Sequence, residues 1–331
     1  MAGFKRFLFI LVVSFTSTSL GARYFCDNYS EEDSFCLITS VTADIHSCRV
    51  EFPEHTSIQL QFALLDELSS QLLYRMQNVE RLDIFNSNIK SAFLKPELKY
   101  FRVSRCQLNE IQIDTAEPYH LTELHLPENE LAAIPKDLSH LSNLTLVDLS
   151  NNHLSFLNMQ DFTGLDQLTI LGLSYNSIKA VFSTGLVRIA SLKFLNLAHN
   201  QITTLDISRW IMPELNELDV SSNSLDRIEN ILVQLPGLNT VRLDGNQWDC
   251  PWRDDVLEIA RSTNRTFEWI GLDPCHAKVK IQGLAQKSRN EQKLKDSLGD
   301  TITKIAKNVT QNVINFDDIV DDVFCRILGG Q

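Results

Sequence analysis

The chain has 331 residues, 44% of them hydrophobic, and a formal net charge of −12 at pH 7. Such a chain can bury a large core, in one elongated domain or in two compact ones. The acidic balance argues against nucleic acid or an anionic membrane as a sequence-independent partner, because both attract basic surfaces.

The N-terminal residues have the order of a secretory signal peptide. Lys5 and Arg6 precede an apolar run from Phe7 to Phe15, and small residues follow at positions 19, 21 and 22. The run is too short to span a bilayer, which needs roughly 20 residues, and no later stretch is long enough. We therefore expect residues 1–22 to be removed, which leaves a secreted, extracellular protein with a net charge of −14.

Residues 23–54 are interpreted as an N-terminal cap with three cysteines. Cys26, Cys36 and Cys48 cannot all pair with one another, and a secreted protein meets oxidising conditions. We favour a Cys26–Cys36 disulfide, with Cys36–Cys48 as the alternative. The chain has seven cysteines in all, so one of them is left as a free thiol or bonds to another molecule.

Residues 55–247 contain about nine units of one repeated pattern. In LTLVDLSNNHL, which starts at Leu144, apolar residues occupy the first, fourth, sixth and eleventh places and asparagine the ninth. The units start 19–24 residues apart, at His55 (irregular), Val79, Leu98, Leu121, Leu144, Leu168, Leu192, Leu215 and Leu238. This pattern, at a period of about 20–29 residues, is typical of the leucine-rich repeat. It predicts an α/β fold, a curved solenoid of stacked units with a parallel sheet on its concave side.

Each unit is expected to form one short strand. Val147 and Leu149 then point into the core while Leu146 and Asp148 point outward, because side chains alternate along a strand. The ninth-place asparagine lies at the turn after the strand, where its amide bonds backbone groups that the turn leaves unpaired. Cys106 takes that place in LKYFRVSRCQL, so we interpret it as a buried structural residue rather than a reactive thiol.

Residues 248–280 have the form of a cysteine-bearing C-terminal cap, which covers the open end of the solenoid. The last unit leads into Trp248, Cys250 and Trp252, a short helix is expected over residues 253–262, and Cys275 follows. We predict a disulfide between Cys250 and Cys275.

Residues 281–331 form a tail with a helical pattern. Apolar residues recur three and four places apart, at Leu294, Leu298, Ile302, Ile305, Val309 and Val313. A second short helix is predicted to begin at the NFDD of residues 315–318 and to end near Cys325. Either this helical pair folds back on the cap, or the tail dimerises and Cys325 forms an inter-chain disulfide.

The third place of each strand is expected to face solvent on the concave side. In chain order it is occupied by Ser57, Arg81, Tyr100, Glu123, Leu146, Ile170, Phe194, Glu217 and Thr240. Three neighbouring strands thus carry large apolar residues there, and such a contiguous patch usually marks an interaction site. The predicted patch consists of Leu146, Ile170 and Phe194, with Tyr175 and His199 of the eighth place at its edge and a basic and aromatic cluster of Tyr100, Arg102 and Arg105 beside it. The alternative is that the C-terminal tail or a second copy covers it.

Four sequons for N-linked glycosylation occur, at Asn28, Asn143, Asn264 and Asn308. Glycans at these asparagines would have to lie on the outer face of a solenoid.

No catalytic constellation is recognisable in the sequence. The eight histidines are scattered, and there is no zinc-protease motif, nucleophile elbow, phosphate-binding glycine loop or C-x-x-C. Asp148 and Asp219 both face the concave side, but three strand spacings of about 5 Å place them roughly 15 Å apart. We therefore predict a non-enzymatic protein without a cofactor or metal.

The caps give a narrower resemblance than the repeats do. The leader, the YFC and FC segments, the irregular first repeats and the exit GNQWDC resemble the secreted leucine-rich-repeat immune proteins of mosquitoes. That family forms disulfide-linked complexes through a C-terminal coiled coil, circulates in haemolymph and holds a thioester-containing complement-like protein in its mature form. This sequence differs in having no long coiled coil and no paired cysteines after the cap.

The sequence therefore predicts a secreted protein-binding scaffold, a recognition or adaptor protein of innate immunity. Its partners would be proteins, and the resemblance implies a related leucine-rich-repeat protein or a thioester-containing complement-like protein. The alternative is a leucine-rich-repeat protein of the extracellular matrix or of cell adhesion.

Overall fold

A computed structural model describes residues 22–29, 35–42, 50–262, 268–270 and 275. The strands are β1 (Asn28–Tyr29), β2 (Cys36–Thr39), β3 (Ser57–Gln61), β4 (Glu67–Leu68), β5 (Arg81–Phe85), β6 (Ser91–Phe93), β7 (Tyr100–Ser104), β8 (Glu110–Gln112), β9 (Glu123–His125), β10 (Leu146–Asp148), β11 (Leu157–Asn158), β12 (Ile170–Gly172), β13 (Ala180–Phe182), β14 (Val187–Arg188), β15 (Phe194–Asn196), β16 (Thr204–Leu205), β17 (Trp210–Ile211), β18 (Glu217–Asp219), β19 (Thr240–Arg242) and β20 (Glu268–Ile270). The helices are α1 (Ser70–Leu73), α2 (Ile231–Gln234) and α3 (Cys250–Ser262), with 3₁₀ turns at Leu138–His140 and Met159–Phe162.

One 12-stranded sheet runs the length of the described chain, in the order β1-β2-β3-β5-β7-β9-β10-β12-β15-β18-β19-β20. Its strands are parallel except for β1, which pairs antiparallel with β2. Neighbouring units pair place by place, so that Leu146 lies opposite Ile170 and Ile170 opposite Phe194. The predicted parallel-sheet solenoid is confirmed. We call the face of this sheet that points away from the core the concave face.

The core lies between this sheet and the returning segments of each unit. Val147 and Leu149 are fully buried in it, as the alternation predicts. Leu157, Phe162 and Leu165 close it from the opposite side, where short parallel strands such as β11, β13 and β16 form small sheets of their own. No unit could bury its apolar side alone, so stacking supplies the hydrophobic free energy of the fold.

Both ends of the solenoid carry a disulfide. Cys26 bonds to Cys36 at the N-terminal end, and Cys250 bonds to Cys275 at the C-terminal end. Cys48 and Cys325 lie outside the described residues. The C-terminal helix starts at Cys250 rather than at residue 253, because the chain turns directly from the last unit into the helix. Trp248, just before the helix, stacks on Trp252 in its first turn with ring centroids 5.0 Å apart.

A ladder of asparagine amides joins each unit to the one before it. The Asn152 Oδ1 accepts from the Leu131 backbone N–H at 3.0 Å, and the Asn152 Nδ2 donates to the Leu126 carbonyl at 2.8 Å. Both partners belong to the preceding unit, at its eleventh and sixth places. The same two contacts recur in five further units, at Asn129, Asn176, Asn200, Asn223 and Asn246. The amides thus satisfy backbone groups that the turns leave unpaired.

Cys106 occupies the ladder position of its unit, as predicted. Its thiol donates to the Ser104 carbonyl at 3.3 Å, and burial raises its pKa to about 11 although a backbone hydrogen bond from Ser87 lowers it. The thiolate is the reactive form of cysteine, so a thiol with this pKa is nearly inert at neutral pH. Among the described residues it is the one cysteine without a disulfide.

We predict that Asn176→Ala lowers the free energy of unfolding by about 1–3 kcal/mol, because the Leu154 N–H and the Leu149 carbonyl lose their buried partner. Urea denaturation measures the change. Asn239 is exposed, so Asn239→Ala serves as the control and should change stability by less than about 0.5 kcal/mol. Equal losses in the two variants would contradict a ladder role for Asn176.

We predict that Cys106→Asn keeps or slightly raises the thermal midpoint. An amide there would reach the sixth and eleventh places of the preceding unit, Ile84 and Ile89, as the other asparagines do. Cys106→Asp should lower the midpoint, because a buried carboxylate accepts from an N–H but cannot donate to a carbonyl. Thermal melts of both variants decide this, and a collapsed asparagine variant would show that the register is wrong.

Candidate interaction surface

The concave face carries a central apolar stripe, which we define as Leu146, Ile170 and Phe194. The three side chains lie on adjacent strands at the third place, where the strands pair in register. The prediction that they are exposed is wrong, since they are only 1%, 1% and 3% exposed. Adjacent parallel strands lie about 4.8 Å apart, which is close enough to hold these large side chains against each other.

A charged and aromatic cluster lies on the concave face on the N-terminal side of the stripe. The Arg81 guanidinium stacks 3.4 Å above the Tyr100 ring, whose other neighbour is the His125 ring at 5.0 Å. The pKa of the Tyr100 hydroxyl is raised, mainly by burial, and a hydrogen bond from Arg102 opposes the rise. The His125 Nε2 lies 3.2 Å from the Glu123 carboxylate. The structure thus brings together Tyr100 and Arg102 of the predicted patch.

A second charged cluster lies on the C-terminal side of the stripe. The Arg242 guanidinium is 3.3 Å from the Glu217 carboxylate and 4.0 Å from that of Asp219. Asp219 accepts hydrogen bonds from the Ser221 N–H and hydroxyl at 2.9 and 2.7 Å. Burial raises the pKa of Asp219 in spite of these bonds and of Arg242. The stripe is therefore flanked on both sides by charged residues.

The eighth place of each unit forms an exposed edge beside the concave face, which we call the ridge. Its members in chain order are Phe62, Asn86, Arg105, Glu128, Asn151, Tyr175, His199, Ser222 and Gly245. All eight non-glycine members have φ between 51° and 56°, in the left-handed region. The turn imposes this conformation while the backbone N–H bonds to the next unit, as from Tyr175 to the Ala198 carbonyl at 3.0 Å. At Gly245, with φ 69°, a Cβ would lie 3.0 Å from Ser222 backbone atoms, a tighter contact than a side chain usually makes.

Ridge side chains of neighbouring units contact each other. The Tyr175 and His199 rings stack with centroids 4.2 Å apart and planes 9° apart, and Tyr175 is 42% exposed. Burial raises the pKa of the Tyr175 hydroxyl, and Asp219 adds to the rise. Arg105 binds both carboxylate oxygens of Glu128 at 3.0 and 3.1 Å. Tyr175, His199 and Arg105 of the predicted patch thus lie on the ridge, at the edge of the concave face.

The glycosylation sequons can be placed in part. Asn143 is exposed, and its amide donates to the Tyr119 carbonyl at 2.8 Å. Asn264 and Asn308 lie outside the described residues, and of Asn28 only the backbone, in β1, is described.

The described part of the chain contains no group of three or more His, Cys, Asp or Glu side chains that could hold a metal ion. Within the same residues no helix is long and apolar enough to cross a bilayer.

Comparisons with known proteins agree with this geometry. Residues 119–178 and 142–202 match the family described as Leucine rich repeat. A leucine-rich-repeat protein of Leptospira interrogans is similar in structure, with a TM-score of 0.53 and 19% identity over 67% of this chain and 60% of that one. Toll, in the Toll–Spatzle complex of Drosophila, has a TM-score of 0.50 and 22% identity over 59% of this chain and 30% of that one. The mosquito LRIM1 leucine-rich-repeat domain has a TM-score of 0.49 and 18% identity over 70% of this chain and 81% of that one.

The fold is therefore that of a leucine-rich-repeat solenoid, and its central units, residues 119–202, match the leucine-rich-repeat model. The chain spans 60% of the Leptospira protein and 30% of the Toll chain. At these identities the similarity shows the shared fold alone.

Proposed function

We propose that this protein is a secreted, non-enzymatic scaffold that binds another protein through the ridge, as a recognition or adaptor protein of innate immunity. The observation that carries the proposal is the choice of residues at the left-handed ridge positions. A left-handed conformation costs a residue with a Cβ roughly 1 kcal/mol, and glycine and asparagine adopt it most readily. The backbone therefore gives no reason for tyrosine, histidine, arginine or phenylalanine there.

The side chains themselves supply a reason. Tyr175 and His199 present a stacked aromatic pair to solvent, and Arg105 with Glu128 presents a paired charge two units away. Tyrosine and arginine are over-represented among the residues that dominate protein interfaces. The turn imposes the left-handed conformation in every unit, so tyrosine, histidine and arginine there carry strain that glycine or asparagine would avoid, and such strain is often retained at functional sites. The ridge thus combines exposure, rigid aromatic area and charge.

The extracellular setting is supported by the leader-like N-terminus and by the two disulfides at the ends of the solenoid. The leucine-rich-repeat scaffold generally serves protein interaction rather than catalysis. The Toll structure is that of the Toll–Spatzle complex, and this complex is described as a molecular hub in Drosophila development and innate immunity. A role in immunity would show as a rise of the transcript after bacterial or parasite challenge, which a matrix or adhesion protein would not give.

We predict that Tyr175→Asn with His199→Asn keeps or raises the thermal midpoint, because asparagine relieves the left-handed strain, while capture of the partner falls at least tenfold. The measurement is pull-down from body fluid with quantitative mass spectrometry, beside thermal melts. Leu186 is 68% exposed on the returning segment, so Leu186→Asn is the matched control and should retain capture. Retained capture in the double variant, or equal loss in the control, would refute the ridge as the binding surface.

We further propose that Cys325 forms an inter-chain disulfide, the second of the two alternatives for the tail, with a second copy or a related leucine-rich-repeat protein. Cys325 lies outside the described residues, and four of the other six cysteines are already paired in the two described disulfides. Non-reducing electrophoresis of the secreted protein should show a band of about twice the monomer mass that Cys325→Ser abolishes. A monomer band in both proteins would end the dimer hypothesis.

A further inference from the structure

Two neighbouring strands on the convex face, which the returning segments form, carry exposed residues that alternate between apolar and basic. The strands β14 and β17 are parallel and pair residue by residue, and Val187 of one and Trp210 of the other are buried. The residues before and after these two therefore point outward. We call these four residues the convex patch: Leu186 and Arg188 on the first strand, beside Arg209 and Ile211 on the second.

The convex patch is open to solvent. Leu186 is 68% exposed and Ile211 is 40% exposed, and both arginines are exposed as well. The register places Leu186 next to Arg209 and Arg188 next to Ile211, so each apolar residue has a basic neighbour on the other strand. The patch thus combines apolar area and positive charge within a few strand spacings of about 5 Å.

The charge balance of the chain is reversed around this patch. Residues 167–213 contain four Lys or Arg and one Asp or Glu, a balance of +3, which leaves −15 for the rest of a chain with a net charge of −12. Within the described part of the chain none of the four cations, Lys179, Arg188, Lys193 and Arg209, forms a salt bridge. Other exposed cations do, such as Lys99 with Glu80. The two units therefore present positive charge that the rest of the protein does not neutralise.

The arginines of the patch keep most of their donors available. The Arg209 Nη1 donates to the Thr184 carbonyl at 2.8 Å, which fixes the position of this guanidinium. The one carboxylate of the two units, Asp206, accepts from Ser208, and these hydrogen bonds lower its pKa more than Arg209 does. Among the described residues the other N–H groups of Arg209, and all those of the Arg188 side chain, have no acceptor.

Exposed apolar side chains among unpaired cations are the combination with which proteins bind the surface of an anionic bilayer. Lipid phosphates accept hydrogen bonds from guanidinium groups, and the apolar side chains enter the boundary between headgroups and acyl chains. A soluble polyanion would use the arginines but would leave Leu186 and Ile211 in water. The acidic remainder of the chain does not prevent such binding, because charges are screened beyond about 8 Å at physiological ionic strength.

We propose that the convex patch attaches this protein to anionic phospholipid surfaces, with Arg188 and Arg209 on the phosphates and Leu186 and Ile211 at the acyl boundary. The patch lies on the face opposite the sheet, whereas the ridge lies at the edge of the concave face. Attachment to lipid and capture of a protein partner therefore use different residues, and the two proposals fail independently.

Flotation of the secreted protein with lipid vesicles tests the proposal. Vesicles of equal parts phosphatidylcholine and phosphatidylglycerol should bind the protein, whereas vesicles of phosphatidylcholine alone should not. Binding should fall in 1 M salt, where the screening length is only about 3 Å. Carbene labelling of Leu186 and Ile211 should decrease at least threefold on the anionic vesicles. Labelling of Leu64, which is 65% exposed in the N-terminal units, should stay unchanged.

Charge reversal of the patch has a matched control. Arg188→Glu with Arg209→Glu should weaken binding to the anionic vesicles at least tenfold. Lys90→Glu with Lys99→Glu makes the same change in net charge at exposed residues of the N-terminal units and should change binding less than twofold. Thermal midpoints report that both variants stay folded. Equal losses would show a general effect of net charge and would overturn the proposal.

A second pair of variants tests the apolar contribution. Leu186→Ser should weaken binding to the anionic vesicles at least threefold, and Leu64→Ser should leave it unchanged. Full binding by the arginine variant would show that another part of the chain holds the vesicle, such as the basic residues after Cys275, and would overturn the proposal. Binding to heparin or polyglutamate in place of vesicles, with no loss in Leu186→Ser, would identify a soluble polyanion or an acidic protein as the ligand and would overturn it as well.

Discussion

Pairing of backbone groups between units is the constraint on which the rest of this structure depends. Every turn after a strand leaves an N–H and a carbonyl of the preceding unit inside the protein, and an unpaired buried group costs about 1–3 kcal/mol. The asparagine amide satisfies both, as Asn176 does for Leu154 and Leu149. Because the contact is repeated from Asn129 to Asn246, it fixes the spacing and register of units whose apolar side chains alone would tolerate small shifts.

The same register creates both candidate surfaces. Strands that pair place by place bring Leu146, Ile170 and Phe194 into one row on the concave face. The turn that positions the ladder asparagine also holds the residue before it in the left-handed region, so Tyr175 and His199 meet on the ridge. Function can therefore change at the third and eighth places while the first, fourth, sixth, ninth and eleventh places keep the fold.

The repeat pattern predicts the fold of each unit correctly. It does not predict how exposed an outward side chain is, because exposure also depends on residues far away in the sequence. Period and alternation suffice to predict the solenoid, the inward Val147 and the structural role of Cys106. The alternation places Leu146 on the outward side of its strand, but the side chain is only 1% exposed, which the pattern within one unit does not predict. The left-handed ridge was missed, although Asn86, Asn151 and Gly245 at one place of the repeat could have revealed it, because these residue types favour that conformation.

The two ends of the solenoid hold their units together in different ways. Toward the N-terminus the ninth place is Ala63, then Ser87, then Cys106. Alanine has no polar side chain, and Ser87 and Cys106 donate to carbonyls of their own units, Phe85 and Ser104, rather than to the preceding unit. There the strands are longer: β3, β5 and β7 have five residues each, whereas β9, β10 and β12 have three. More strand pairing thus replaces the missing side-chain bonds, and the Cys26–Cys36 disulfide restrains the terminal strand beyond them. In a solenoid, where each unit touches only its neighbours, the weakest interface sets where unfolding begins. The long strands therefore protect the end that the asparagine ladder does not reach.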